Sequence, residues 1–86
     1  MIFAIAYDQQ PEKFLIKLDK HIATRIIGKI EESLQDNAVP SGSVAIIGEH
    51  GVFRLRIGDF RALYRINYES KRIIIIRIDK REKVYD

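Results

Sequence analysis

The stretch VFRLRIGDFRALYRI, Val52 to Ile66, alternates apolar and basic residues on both sides of a Gly58-Asp59 pair. Alternation with a period of two is a strand signal, and Gly-Asp between two such runs is a hairpin turn. With Gly58 and Asp59 as the loop, the pairing is fixed. Ile57 faces Phe60, Arg56 faces Arg61, Leu55 faces Ala62, Arg54 faces Leu63 and Val52 faces Arg65. Phe53, Leu55, Ile57, Phe60, Ala62, Tyr64 and Ile66 then share one face, and Arg54, Arg56, Arg61 and Arg65 share the other. Any fold built on this ribbon must cover the first face.

The rest of the chain supplies the cover. Ile2 to Tyr7 is β-branched and aromatic and predicts a first strand. Asp8 predicts a helix N-cap, with Pro11 in the first turn, and Phe14, Leu15 and Leu18 recur at helical spacing. A second stripe, Ile22, Ile26, Ile27, Ile30 and Leu34, predicts another helix, with the break between the two near His21. NAVPSGS, residues 37–43, is loop. Val44 to Ile47 predicts a short strand, the hairpin follows, and Lys71 to Ile78 predicts a last strand. Ile73 to Ile76 is apolar on both faces, so that strand belongs in the middle of the sheet or under cover on both sides. The expected fold is α+β, in the order β-α-α-β-β-β-β. An N-terminal helical hairpin packs on one face of a curved, mainly antiparallel sheet and leaves the other face for function.

At 86 residues, 47% of them hydrophobic, the expectation is one globular domain spanning 1–86. The absence of cysteine excludes disulfides and thiolate metal sites. MIFAIAYDQQ reads as neither a secretion signal nor a membrane span, which predicts a cytoplasmic protein with no membrane partner. Charge is unevenly spread: residues 1–50 carry a net −2 and residues 51–86 a net +5. A basic patch on one part of a domain suits a polyanion.

Arg56 opposite Arg61 is unfavourable by roughly a few tenths to 1 kcal/mol. A sequence shaped by stability alone places an acid at one of the two positions. Four guanidiniums on one face gain when an anion binds, and the planar fork of arginine suits phosphate.

FRLRIGDFRALY and the tail IDKREKVYD resemble the RelE/ParE toxin superfamily, most of all its archaeal RelE-type members. The hairpin looks like the family's aromatic-basic-x-basic-x-Gly-Asp-aromatic-Arg-x-x-Tyr pattern, and the tail like its Lys/His-Arg-x-x-Val-Tyr ending. The resemblance implies a toxin of a type II toxin–antitoxin pair. It implies a ribosome-dependent endoribonuclease that cuts mRNA in the decoding site by attack of the 2′-hydroxyl on the adjacent phosphate, with neither metal nor cofactor. Carried over by motif, the catalytic set is Arg54, Arg56, Arg61, Arg81 and Tyr85, with Arg65, Lys80 and Lys83 contacting RNA backbone. The implied partners are a RelB-like antitoxin, the ribosome and its mRNA, and promoter DNA through the antitoxin complex. One departure is plain. The best-known bacterial enzyme of the family has lysines at the first two positions, one of them its general base, whereas arginine stays protonated at neutral pH and is a poor base. Two other readings remain: a ParE-like gyrase inhibitor of the same fold, and a catalytically inactive nucleic-acid-binding module.

Elsewhere the sequence offers less. Glu49-His50 reads as a solvated loop and His21 as structural or exposed. Two distant histidines without cysteine make a poor metal site. Tyr64 falls on the apolar face and reads as packing.

Overall fold

The structure, a computed structural model, describes residues 2–80. Strand β1 (Ala4–Tyr7) leads into α1 (Gln9–Lys17) and α2 (Lys20–Leu34), followed by β2 (Ser43–Ala45), β3 (Val52–Ile57), β4 (Phe60–Asn67) and β5 (Arg72–Lys80). The expected order and α+β class hold. The sheet runs β1-β5-β4-β3-β2, with β1 parallel to β5 and every other pair antiparallel. No helix among the described residues is long and apolar enough to cross a membrane.

The helix ends follow from two aspartates. The Asp8 carboxylate accepts from the Gln9 amide at 2.9 Å, and the Asp19 carboxylate accepts from the His21 amide at 2.9 Å. The break between the helices is therefore Leu18-Asp19, and His21 lies inside the first turn of α2. The expected position was two residues late because Asp19, a better cap than its neighbours, stops one helix and starts the next. Other strand bounds also differ by one or two residues. β1 begins at Ala4 and not Ile2, β5 runs on to Lys80, and β2 stops at Ala45. Beyond Ala45 the chain turns away: Glu49 N–H donates to Ile46 at 3.3 Å, and Ile47 is 97% exposed.

The core lies between the helices and one face of the sheet. Leu15 of α1 and Ile26, Ile30 and Leu34 of α2 meet Leu55, Ile57, Ala62, Tyr64, Ile73, Ile75 and Ile78. Ile26, Ile30 and Leu34 recur every four residues along one stripe of α2. Tyr64 is fully buried, stacks on Phe53 with ring centroids 5.8 Å apart, and donates its hydroxyl to the Ala38 carbonyl at 2.8 Å. It is packing, as its place in the alternation implied.

β5 is an interior strand, flanked by β1 and β4, in keeping with its run of isoleucines. It pairs with β1 from Arg72 to Ile75 and with β4 along its whole length. Where β1 ends, α1 takes over the ladder. The Gln10 side-chain amide donates to the Ile78 carbonyl at 2.9 Å and accepts from the Ile78 N–H at 2.9 Å. One glutamine thus serves as a surrogate strand residue. Replacing Gln10 with alanine leaves both Ile78 backbone groups without these partners. The expected loss is about 1–3 kcal/mol of stability, read as a lower midpoint in urea unfolding with an unchanged slope.

Tyr7 at the end of β1 has the opposite problem. Its hydroxyl is buried and has no hydrogen-bond partner among the described residues. Burial first, and the Glu31 carboxylate second, push its pKa up to about 12. The neutral phenol is therefore the form that folds. Its contribution is complete below pH 10, the unfolded value, and is lost as pH rises from 10 through about 12. Tyr7→Phe removes the ionisation and the unpartnered hydroxyl together. Its stability is expected to fall less steeply than that of the parent between pH 10 and 12, and to be no lower at pH 7, both measured by chemical denaturation across the pH series.

Candidate nucleic-acid interface

The β3–β4 hairpin adopts the register that its sequence implies, residue for residue from Val52↔Arg65 to Ile57↔Phe60, with Arg56 opposite Arg61. Gly58 has φ 57°, and Asp59 does not have a positive φ. That is the pattern of a tight hairpin turn with glycine at its first position, which an L side chain adopts only under strain.

A β-bulge decides what else reaches the arginine face. Tyr64 pairs with Ile75 but Leu63 pairs with Arg77, so Ile76 is an extra residue on β5. Before the bulge, Ile73 and Ile75 point into the core; after it, Ile78 does. Strict alternation from Ile73 would have driven Arg77 and Asp79 inward. The bulge turns both outward instead. Three rows then cross the sheet on that face: Arg56, Arg61 and Asp79; Arg54, Leu63 and Arg77; Val52, Arg65 and Ile74.

Asp79 is thus an acid among the arginines, which sequence alternation alone did not bring there. It is 9% exposed, and its Oδ2 lies 2.6 Å from an Arg77 guanidinium nitrogen. That approach is charge pairing without an aligned hydrogen bond. Its place beside Arg61 offsets the repulsion that Arg56 and Arg61 exert on each other.

A cleft of about 660 Å³ opens where β2 stops short and leaves the end of β3 unpaired on that side. Arg54, Arg56 and Arg61 line it together with Lys29 and Ser33 of α2 and Ser41 and Gly42 of the loop before β2. Arg54 and Arg61 are half-buried and engaged by other groups of the chain, while Arg56 is exposed. Ser41 reaches the cleft through a turn. The Ser43 N–H donates to the Pro40 carbonyl at 3.0 Å, and Gly42 between them has φ 96°.

A second cleft of about 650 Å³ lies round the Gly58-Asp59 turn. Lys29 and Gly58 line both. Its floor is Leu18, Ile22, Ile26, Ile57 and Phe60, and its rim holds Arg25, Lys29, Asp59 and Lys80.

Of the expected site residues, the structure brings Arg54, Arg56 and Arg61 into one cleft. It puts Lys80 in the adjoining cleft, and Arg65 is exposed on the same sheet face two rows from the Arg56–Arg61 pair. Arg81, Lys83 and Tyr85 lie outside the described residues. His50 and His21 are both exposed. Lys29, Ser33, Ser41 and Asp79 were not singled out by the sequence. Only PSGS before a strand carried a signal for any of them: a Pro-x-Gly turn that must hold its serine outward.

Compared with known proteins, residues 5–85 match the sequence model of the family described as ParE toxin of type II toxin-antitoxin system, parDE. The chain belongs to that family. It is a toxin of a type II toxin–antitoxin system, in the RelE/ParE superfamily. The toxin's fold is similar to that of a chain in the archaeal RelE–RelB complex from Pyrococcus horikoshii, with TM-score 0.79, 25% identity, and coverage of 98% of this chain and 100% of that one. It is likewise similar to a chain of the RelB–RelE antitoxin–toxin complex from Methanococcus jannaschii, with TM-score 0.65, 27% identity, and coverage of 94% and 95%. The isolated E. coli RelE toxin matches in fold at TM-score 0.75 and 16% identity, over 91% of this chain and 83% of that one. No curated protein matches the sequence.

Asp79→Asn tests the electrostatics of the face. Removing the one carboxylate of that row should tighten binding of sulfate or a short RNA, seen as a lower dissociation constant in a calorimetric titration. It should also cost up to about 1 kcal/mol in urea unfolding, because half-exposed Arg77 loses its charge partner.

Proposed function

We propose that this toxin is a ribosome-dependent endoribonuclease that cuts mRNA in the decoding site. The observation that carries the reading is one cleft holding Arg54, Arg56 and Arg61, with two of the three paired against each other. Such a cluster is at its most favourable around a doubly exposed anionic centre. In the proposed reaction the 2′-hydroxyl gives up its proton to solvent and attacks its own 3′-phosphorus, and the bond to the next nucleotide's O5′ breaks as that oxygen takes up a proton. The products are a cyclic phosphate and a free 5′-hydroxyl. Negative charge grows on the phosphoryl oxygens, and fixed guanidiniums aimed at them stabilise the transition state more than the ground state. No metal is required where arginines supply that charge. Arg54 and Arg56 position the phosphate and do not accept the proton. Arg81 and Tyr85 complete the proposed set: Arg81 at the leaving oxygen, and Tyr85 stacked on a base or orienting the 2′-hydroxyl. Arg65, Lys80 and Lys83 contact backbone phosphate.

The partners proposed with this activity are the ribosome and its mRNA in the cytoplasm, and a RelB-like antitoxin. RelE chains of similar fold are found in complexes with RelB, which supports that choice. Contact with promoter DNA runs through the antitoxin complex. The second reading, gyrase inhibition, is favoured by the description of the family model itself, which names ParE.

A translation reaction with purified toxin and a defined mRNA separates the two. The expected result is cuts within codons, mapped by primer extension, only when ribosomes are present. Arg61→Ala should slow cutting by about 10²-fold or more while the variant still unfolds in one cooperative transition. Intact mRNA alongside loss of gyrase supercoiling would replace this reading with the second.

A further inference from the structure

The two clefts share a wall. Lys29 and Gly58 line both, so the arginine cleft adjoins the second groove round the β3–β4 turn. We propose that the second groove holds the next phosphate of the same RNA strand, bound by Arg25 and Lys29 of α2, so that the toxin grips two successive phosphates and not one. This inference rests on the endoribonuclease reading above.

Three features support it. Arg25 and Lys29 are one helical turn apart on α2, and both rim the groove beside Lys80 of β5, opposed by the one carboxylate of Asp59. The groove is therefore cationic at its mouth, the charge complement of a nucleic-acid backbone. Its floor is apolar, with Ile22 and half-buried Phe60 among the lining residues, which suits the flat face of a base between two phosphates. Finally, the ammonium group of Lys29 is held only weakly. Its pairing with Glu32 is 3.9 Å long, with the two side chains 57% and 78% exposed. An exposed pair of that kind contributes about 0–1 kcal/mol and yields readily to a phosphate. A lysine needs no bidentate geometry, so it suits a backbone phosphate that is held but not cut.

The test compares two 2′-O-methylated RNA probes that cannot be cleaved: a dinucleoside monophosphate with one phosphate and a trinucleoside diphosphate with two. Binding to the full chain is followed by NMR titration at several salt concentrations. The parent toxin should bind the longer probe more tightly, with a salt slope steeper by about 0.7. The double variant Arg25→Ala/Lys29→Ala should weaken binding of the longer probe more than that of the shorter one, which Lys29 also faces from the first cleft, and should lose the extra slope. Lys29→Arg in the Arg25→Ala background should restore part of both. Arg61→Ala should weaken both probes, which marks the first phosphate. Both substituted side chains are exposed on α2, and an unchanged melting temperature confirms that the double variant folds.

The inference is overturned if the double variant keeps the full preference for two phosphates, or if it loses both probes in equal measure. Loss of antitoxin binding with RNA binding intact would assign the groove to a protein partner instead. In those cases the endoribonuclease reading stands, because the parent binds RNA through Arg61. A parent that binds neither probe overturns the two-phosphate grip, while the endoribonuclease reading is decided separately by the translation reaction with ribosomes.

Discussion

Everything in this molecule depends on how β5 is held. It is the strand with a neighbour on each side, one parallel and one antiparallel, and it carries three fully buried isoleucines into the core. Fully burying an aliphatic side chain contributes roughly 1.5–3 kcal/mol, so the register of β5 is strongly fixed. The bulge at Ile76 is compatible with that register because it lets both halves of the strand bury their isoleucines: Ile73 and Ile75 before it, Ile78 after it. A strand without the bulge could bury one half only by driving a charge into the core with the other. Gln10 then holds the second half in place where β1 no longer reaches.

The arginine face is tolerable because of that same strand. Opposed arginines cost roughly a few tenths to 1 kcal/mol. The residues next to them, Leu55, Ile57 and Ala62, are buried on the reverse side of the same two strands, and their burial exceeds that cost several times over. Asp79 reduces it further. Its carboxylate sits in the Arg56–Arg61 row yet approaches Arg77, so part of the positive field is balanced at the far end while the end lining the cleft stays cationic. The face is polarised across the sheet: neutralised toward β5, positive toward β3. That asymmetry gives the proposed anion site a location as well as a sign.

The hairpin was legible in the sequence because two signals agreed. A turn dipeptide fixed the loop, and alternation on both sides fixed the faces, so a slip of one residue would have exposed every apolar side chain. The helix stripe of α2 was legible for the same reason. The bulge was not. Four consecutive isoleucines give no contrast between faces, so nothing in IIIIRID marks where the alternation breaks. Asp79 was hidden with it, since its side of the sheet depends on the count of residues before it. Lys29 and Ser33 were hidden differently. On a helix, a lysine or serine off the apolar stripe reads as solvated surface, and only the placement of α2 against the open end of β3 makes it a wall. β2 was over-extended because Ile46 and Ile47 read as strand residues, although Gly48 and Gly51, both with positive φ, bend the chain away from the ladder.

The Gly58-Asp59 turn joins these threads. Its two residues set the pairing that opposes Arg56 to Arg61, and the same turn stands between the two clefts, with Gly58 in the lining of each. A side chain at position 58 would strain the backbone at φ 57° and stand where the clefts meet. A slip of one residue in that pairing would send the arginines to the core face. The turn that makes the hairpin foldable therefore also sets the path along which a strand of RNA would pass from one cleft to the next. Folding and the proposed binding place the same demand on one glycine.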